Sequence, residues 1–189
     1  MDRSAVRSRG VIDAMPPTGT DRQTAWVRFE ALYRSSRDDL FAYVATLLRD
    51  PAAAEDITAL AFERAYRRRR TFDRRRGEER AWLFGIARNA ALDELRRRAR
   101  LAQLAAEPAD TSELEPSVPD EADVALRRTA VRAALARLSG REREIVALKF
   151  HGGLSNGEIA QVLGVTESNA GTLLYRTLEK LRKACDEAA

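Results

Sequence analysis

The sequence predicts an all-α protein: two small helical domains joined by an acidic, flexible linker, the second containing a helix-turn-helix. Three observations lead there. Apolar residues before Arg100 and after Val124 recur at intervals of three and four, the spacing of one helix face. Residues that cap helices stand where those runs begin. Between Leu101 and Asp123 the pattern dissolves into seven carboxylates and three prolines without a basic residue, the composition of a linker held extended by self-repulsion and proline. The division is therefore an N-terminal arm over 1–24, a first domain over 25–100, the linker over 101–123 and a second domain over 124–185.

The arm, including Met15-Pro16-Pro17-Thr18-Gly19, shows no helical period and is expected to be mobile. Structure is predicted to begin near Trp26. Phe29, Leu32, Tyr33, Leu40, Val44, Leu47 and Leu48 follow helical spacing, and Phe41 and Tyr43 widen the apolar surface, so this helix packs on more than one side. Asp50-Pro51 ends it and starts the next, because aspartate accepts from free N–H groups and proline suits the first helical position. In the helix from Pro51 to Arg70, Ile57, Leu60, Ala61 and Ala65 form the inner stripe, which puts Asp56, Ala59 and Glu63 together outside. Taken alone, that outer stripe reads as a solvated face.

Residues Arg67 to Arg80, R-R-R-R-T-F-D-R-R-R-G-E-E-R, concentrate positive charge around a break at Asp73 to Gly77, an electrostatic site for phosphates that includes Arg75 and Arg76. The helix that follows buries Leu83, Ile86, Ala87, Ala90 and Leu95. Its other face aligns Trp82, Gly85, Asn89, Asp93 and Arg96, with Arg88 beside them. Amides and charged groups can hydrogen-bond exposed base edges and aromatics can stack on unpaired bases, so the stripe suits unpaired DNA. Trp82 has a second reading, since a tryptophan at a helix start is more often a core anchor.

The second domain opens with a helix near Val124 to Leu138. Ser139-Gly140-Arg141-Glu142 is a capping box for a helix carrying Ile145, Val146, Leu148 and Phe150, closed by His151-Gly152-Gly153. His151 reads as a helix-end group, since no other ligand type clusters near it. Ser155 and Glu158 form another capping box. Gly164 is placed to end that helix in the left-handed conformation, and Thr166 caps the next. Ile159, Ala160 and Leu163 face inward on the first of this pair; Ala170, Leu173, Leu174, Leu178, Leu181 and Cys185 do so on the second. The opposite stripe of Ser168, Thr172, Tyr175 and Glu179, flanked by Arg176 and Arg182, is what a recognition helix presents to a major groove.

Composition sets the outer bounds. Thirty-three lysines and arginines against 29 carboxylates leave a net charge of +4, a basic excess that points to nucleic acid, although codon composition also raises arginine and alanine usage. The single cysteine, Cys185, excludes an intrachain disulfide and cannot make a zinc site, and its inward position suits a buried thiol. Arginine or aspartate interrupts every apolar stretch, and residues 1–24 lack the apolar core of a signal peptide, so neither membrane insertion nor export is expected and the cytoplasm is. There is no nucleophile elbow, P-loop, dinucleotide fingerprint or metal spacing; no enzyme, cofactor or metal is expected.

Phe72 to Asn89, F-D-R-R-R-G-E-E-R-A-W-L-F-G-I-A-R-N, together with Leu138 to Ser168, L-S-G-R-E-R-E-I-V-A-L-K-F-H-G-G-L-S-N-G-E-I-A-Q-V-L-G-V-T-E-S, resembles an extracytoplasmic-function sigma factor of bacterial RNA polymerase. The resemblance covers about Phe29 to Arg182. It implies that Ala54 to Tyr66 dock on the clamp helices of the largest polymerase subunit through Asp56, Ala59 and Glu63, while the second domain meets the flap of the second-largest subunit. It implies that Arg75, Arg76, Trp82, Arg88, Asn89, Asp93 and Arg96 melt and read the promoter's minus-ten element. Thr166, Ser168, Asn169, Gly171, Thr172, Tyr175 and Arg176 would read the minus-thirty-five element as duplex. The linker would thread toward the active-site and RNA-exit channels, and an anti-sigma factor is a further implied partner. Two positions depart from the family habit: Ala59, where glutamine is common, and Gly171, where a basic residue is. The second domain also resembles the helix-turn-helix of quorum-sensing and response-regulator proteins, but a receiver domain needs alternating strands where residues 26–100 read as helices. A helical adaptor protein, its arginine clusters merely solvated, is the third reading.

Overall fold

The computed structural model describes residues 19–69, 72, 73, 75, 77–105, 129 and 131–187. Six helices organise them: α1 (Gly19–Leu48), α2 (Pro51–Arg68), α3 (Glu79–Ala105), α4 (Gly140–Phe150), α5 (Asn156–Leu163) and α6 (Glu167–Asp186), with a further helical stretch over 131–136. Among the described residues there is no strand.

The corners are made by the residues expected to make them. Asp50, in extended conformation, accepts from the Ala53 N–H at 3.1 Å with Pro51 in the first turn. Ser139 and Glu142 form one reciprocal capping box and Ser155 and Glu158 another. Gly164 (φ 67°) takes the left-handed position that closes α5, a conformation a Cβ would disfavour, and Thr166 caps α6. Ends without a cap extend further than the sequence suggested. Helix α1 begins at Gly19, inside the expected arm, and α3 continues through Ala105, into the expected linker. The rest of the arm, residues 1–18, and of the linker, 106–123, lies outside the described residues.

Helices α1, α2 and α3 pack as a bundle. Aromatic rings join the first two: Phe29 meets Tyr66 edge-on at 5.1 Å between centroids, and Tyr33 meets Phe62 at 4.7 Å. Arg98 of α3 donates to Asp50 Oδ2 at 2.8 Å, tying the α1–α2 corner to the third helix. The buried stripe of α2 is Ala54, Ile57, Thr58, Ala61, Phe62 and Ala65, so Phe62 takes the inward role expected of Leu60, which is only partly buried. In the helix-turn-helix, Val162 is buried where Leu163 was expected, and Phe150 at the end of α4 is 66% exposed.

The two helical halves share a core. Leu40, Tyr43 and Val44 of α1 and Leu83 and Phe84 of α3 belong to the same buried cluster as Ile145 and Leu148 of α4 and Ile159 of α5. Contacts of α1 with α4 and of α3 with α5 form the seam.

Candidate nucleic-acid interface

The basic loop, the start of α3 and the end of α5 line an open cavity of about 460 Å³. Phe72 and Trp82, with ring centroids 5.2 Å apart and planes at 40°, form one wall; Asn89 and Gly85 stand two turns and one turn along from the loop. Trp82 is partly buried against the core, as a core anchor would be, and its remaining surface lines the cavity. The Asn89 amide is exposed. Arg75 is exposed on the loop, whose turn is held by its backbone N–H donating to Asp73 Oδ1 at 2.9 Å. Arg76 lies outside the described residues. Asp93 and Arg96, one and two turns beyond Asn89, are exposed and pair with each other at 2.9 Å. The structure thus brings Trp82 and Asn89 to one cavity with Asp93 and Arg96 on the same side of the helix. A cavity with an aromatic wall and an amide at its edge can hold a planar base and hydrogen-bond its rim.

Arg88 is placed differently. Its guanidinium turns to the seam, where Nε donates to Glu144 Oε1 at 2.7 Å. The phenol of Tyr43 donates to the same oxygen at 3.3 Å. Burial and the neighbouring Glu144 charge push the Tyr43 pKa well above its ordinary value, so it remains a protonated donor. Sequence reasoning missed Glu144 and Tyr43 as functional candidates, and Gln161 of α5, which borders the cavity. All three lie across the seam from the residues they approach, and periodicity within one helix carries no signal for that.

In the second half, α6 buries Ala170, Leu174 and Thr177 and leaves Ser168, Asn169, Thr172, Tyr175 and Arg176 exposed, Tyr175 by 67%. Thr166 is exposed too, but its hydroxyl accepts from the Asn169 N–H at 3.2 Å and so serves as the cap. Gly171 is half-buried, and a Cβ there would lie 3.5 Å from Asn156 Nδ2, which puts it on the flank toward α5 rather than the centre of the open face. Lys180 donates to Glu142 at 2.9 Å, bracing α6 on the start of α4.

On α2, Asp56, Ala59 and Glu63 are exposed together, with Glu63 paired to Arg67 at 2.7 Å. Beside them a groove of about 430 Å³ runs between α1 and α2, lined by Tyr33, Phe41, Ala59 and Phe62 among others. The small Ala59 side chain leaves this groove open.

Residues 32–101 match the Sigma-70 region 2 family and residues 128–181 match Sigma-70, region 4. The chain is 33% identical to the ECF RNA polymerase sigma factor SigL of Mycobacterium tuberculosis, over 83% of this chain and 88% of that one. It is 31% identical to SigX of Bacillus subtilis over 82% of each. Identity to BldN of Streptomyces coelicolor is 35% over 85% of this chain, which spans 61% of the length of BldN. Among solved structures, the sigma factor RpoE of Bartonella quintana, in complex with the anti-sigma factor NepR, has a TM-score of 0.66 at 22% identity, covering 89% of this chain and 98% of that one. CnrH, in complex with the cytosolic domain of CnrY, gives 0.60 at 25% identity over 89% and 96%. Paired regions 2 and 4 define a sigma factor of the Sigma-70 class. The chain belongs to its extracytoplasmic-function family, and its function is to direct RNA polymerase to promoters. The match of the first half to region 2 favours this over the other helix-turn-helix regulators and the adaptor reading. No helix among the described residues is long and apolar enough to cross a membrane.

Proposed function

We propose that the first half opens and reads the minus-ten element through Arg75, Arg76, Trp82, Arg88, Asn89, Asp93 and Arg96. The open face of α6, with Thr166, Ser168, Asn169, Gly171, Thr172, Tyr175 and Arg176, reads the minus-thirty-five element in duplex form. The observation that carries this is the cavity between Phe72, Trp82 and Asn89: it has room for a planar ring against its aromatic wall and sits beside an arginine-rich loop. Unpaired bases stack on aromatics and offer their edges to amides, while arginines track the phosphates. The exposed Asp56, Ala59 and Glu63 face of α2 is the docking surface for the polymerase clamp helices, and the second half meets the flap. Family membership adds an anti-sigma factor as the regulating partner and the cytoplasm as the place of action.

In vitro transcription with purified core enzyme across genomic promoter fragments tests the assignment. The wild-type chain is expected to initiate at specific sites. Asn89→Ala is expected to assemble with core yet lose strand opening, read by permanganate reactivity of unpaired thymines. Asp56→Arg is expected to weaken core binding without unfolding, since the position is exposed. Normal opening by the first variant and normal core affinity of the second would remove these residues from the two surfaces.

A further inference from the structure

The seam between the halves is more than apolar packing. Glu144 comes from α4 with only 8% of its surface exposed, a depth at which a carboxylate must be paired. Its partners are on the other half: Arg88 of α3 at 2.7 Å and Tyr43 of α1 at 3.3 Å. Two turns before Arg88, Arg80 donates from Nε to the Gly152 carbonyl at 2.8 Å, while its other nitrogens hold Ser36 Oγ and Asp39 on α1. Gly152 approaches so closely that a Cβ there would lie 3.1 Å from a ring carbon of Phe84. At the far end of the seam, Gln161 of α5 reaches the loop at Gly77, on the rim of the cavity walled by Phe72 and Trp82.

Arg88 therefore meets a carboxylate through the same donor edge with which a guanidinium takes a phosphate, and it cannot serve both. We infer that Glu144 is an internal stand-in for promoter phosphate: in the free chain it occupies Arg88 and latches α4 onto α1 and α3, and the latch must release before the minus-ten strand is read. The inference rests on the assignment of Arg88 to that strand. Removing one member of a buried pair leaves the other charge uncompensated, so the latch is sensitive to loss of Glu144 alone. With the reading-competent form only partly populated, the strand's apparent affinity is reduced by that fraction.

The test uses the full chain as wild type, Glu144→Gln, Glu144→Ala and Arg88→Ala. Small-angle scattering reads the separation of the halves, and amide hydrogen exchange reads protection of residues 82–90. Fluorescence anisotropy measures binding to a single-stranded oligonucleotide bearing the minus-ten non-template sequence of a promoter the protein uses. Glu144→Ala is expected to enlarge the radius of gyration, speed exchange and tighten strand binding about tenfold. Glu144→Gln, which keeps the volume and an oxygen for Tyr43, is expected to do so by less and supplies the measurement should the alanine variant fold poorly. Unchanged size, exchange and affinity in both variants would overturn the latch. Opening without tighter binding, while Arg88→Ala still weakens binding, would overturn the stand-in. Should Arg88→Ala bind the strand as wild type does, the minus-ten assignment of Arg88 is the part that fails, and the stand-in falls with it even if the halves separate.

Discussion

At Thr58 the side-chain hydroxyl is buried and has no hydrogen-bond partner, on the helix whose neighbouring residue Ala59 belongs to the proposed polymerase face. A buried hydroxyl without a partner costs about 1–3 kcal/mol, and valine has nearly the same shape. Thr58→Val is expected to raise the stability of the chain by about 1 kcal/mol, read by urea unfolding, and to leave core binding unchanged because valine keeps the shape of a residue only 7% exposed. A loss of stability would show that the hydroxyl has a partner in solution. Single residues were legible in the sequence where one helix decides their environment. Asp56, Ala59 and Glu63 follow from the α2 period, and Ser168, Thr172 and Tyr175 from that of α6. Arg88 was not, because the group that captures it, Glu144, is 56 positions away. Gly171 fell on the flank of α6 because Asn156, in the preceding helix, occupies the neighbouring space.

Among the elements, α4 carries a carboxylate with two tasks. Glu142 completes the capping box with Ser139 and accepts from Lys180 of α6, and these bonds, the lysine first, lower its pKa from the ordinary 4.5 to about 2. Glu94 on α3 is likewise lowered to about 2, by Arg97 and then Arg98. A folded pKa below the unfolded one contributes stability that is complete above the unfolded value and is lost as pH falls through the folded one. Acid is therefore expected to erode the fold between about pH 4.5 and about pH 2, followed by circular dichroism, and Glu142→Gln to be less stable at neutral pH but to lose less on acidification. An equal acid loss in that variant would contradict the assignment. Helix boundaries were legible where chemistry stops the helix, as at Asp50, Ser139, Ser155, Gly164 and Thr166. They were not where nothing does. After Arg100 the residues Leu-Ala-Gln-Leu-Ala are good helix formers and the first proline is Pro108, so α3 runs on past the last inward-facing position.

For the whole molecule, the two halves divided by the linker in sequence are joined by a core in space. Leu148 is fully buried in the cluster that spans both. Leu148→Ala is expected to cost about 2–5 kcal/mol and to lower a single calorimetric transition, since the halves unfold together. Two separated transitions in the wild-type chain would show that the seam does not couple them. That union was not legible, because each half displays an apolar surface of its own and the pattern does not say which surfaces meet.

The face of α6 carries a consequence of its own. Ser168, Asn169, Thr172, Tyr175 and Arg176 are open to solvent while α4 is seated on α1 and α5 on α3. On the proposed assignment of that face, duplex carrying the minus-thirty-five element meets the same open surface whether the halves are together or apart. A ligand with equal affinity for two states moves no population between them, however tightly it binds. That duplex is therefore expected to bind the free chain while its radius of gyration and the exchange of residues 82–90 stay as they were. Under the proposed latch, the work of separation falls to a ligand that prefers the separated form, a role open to the polymerase and closed to a duplex without that preference.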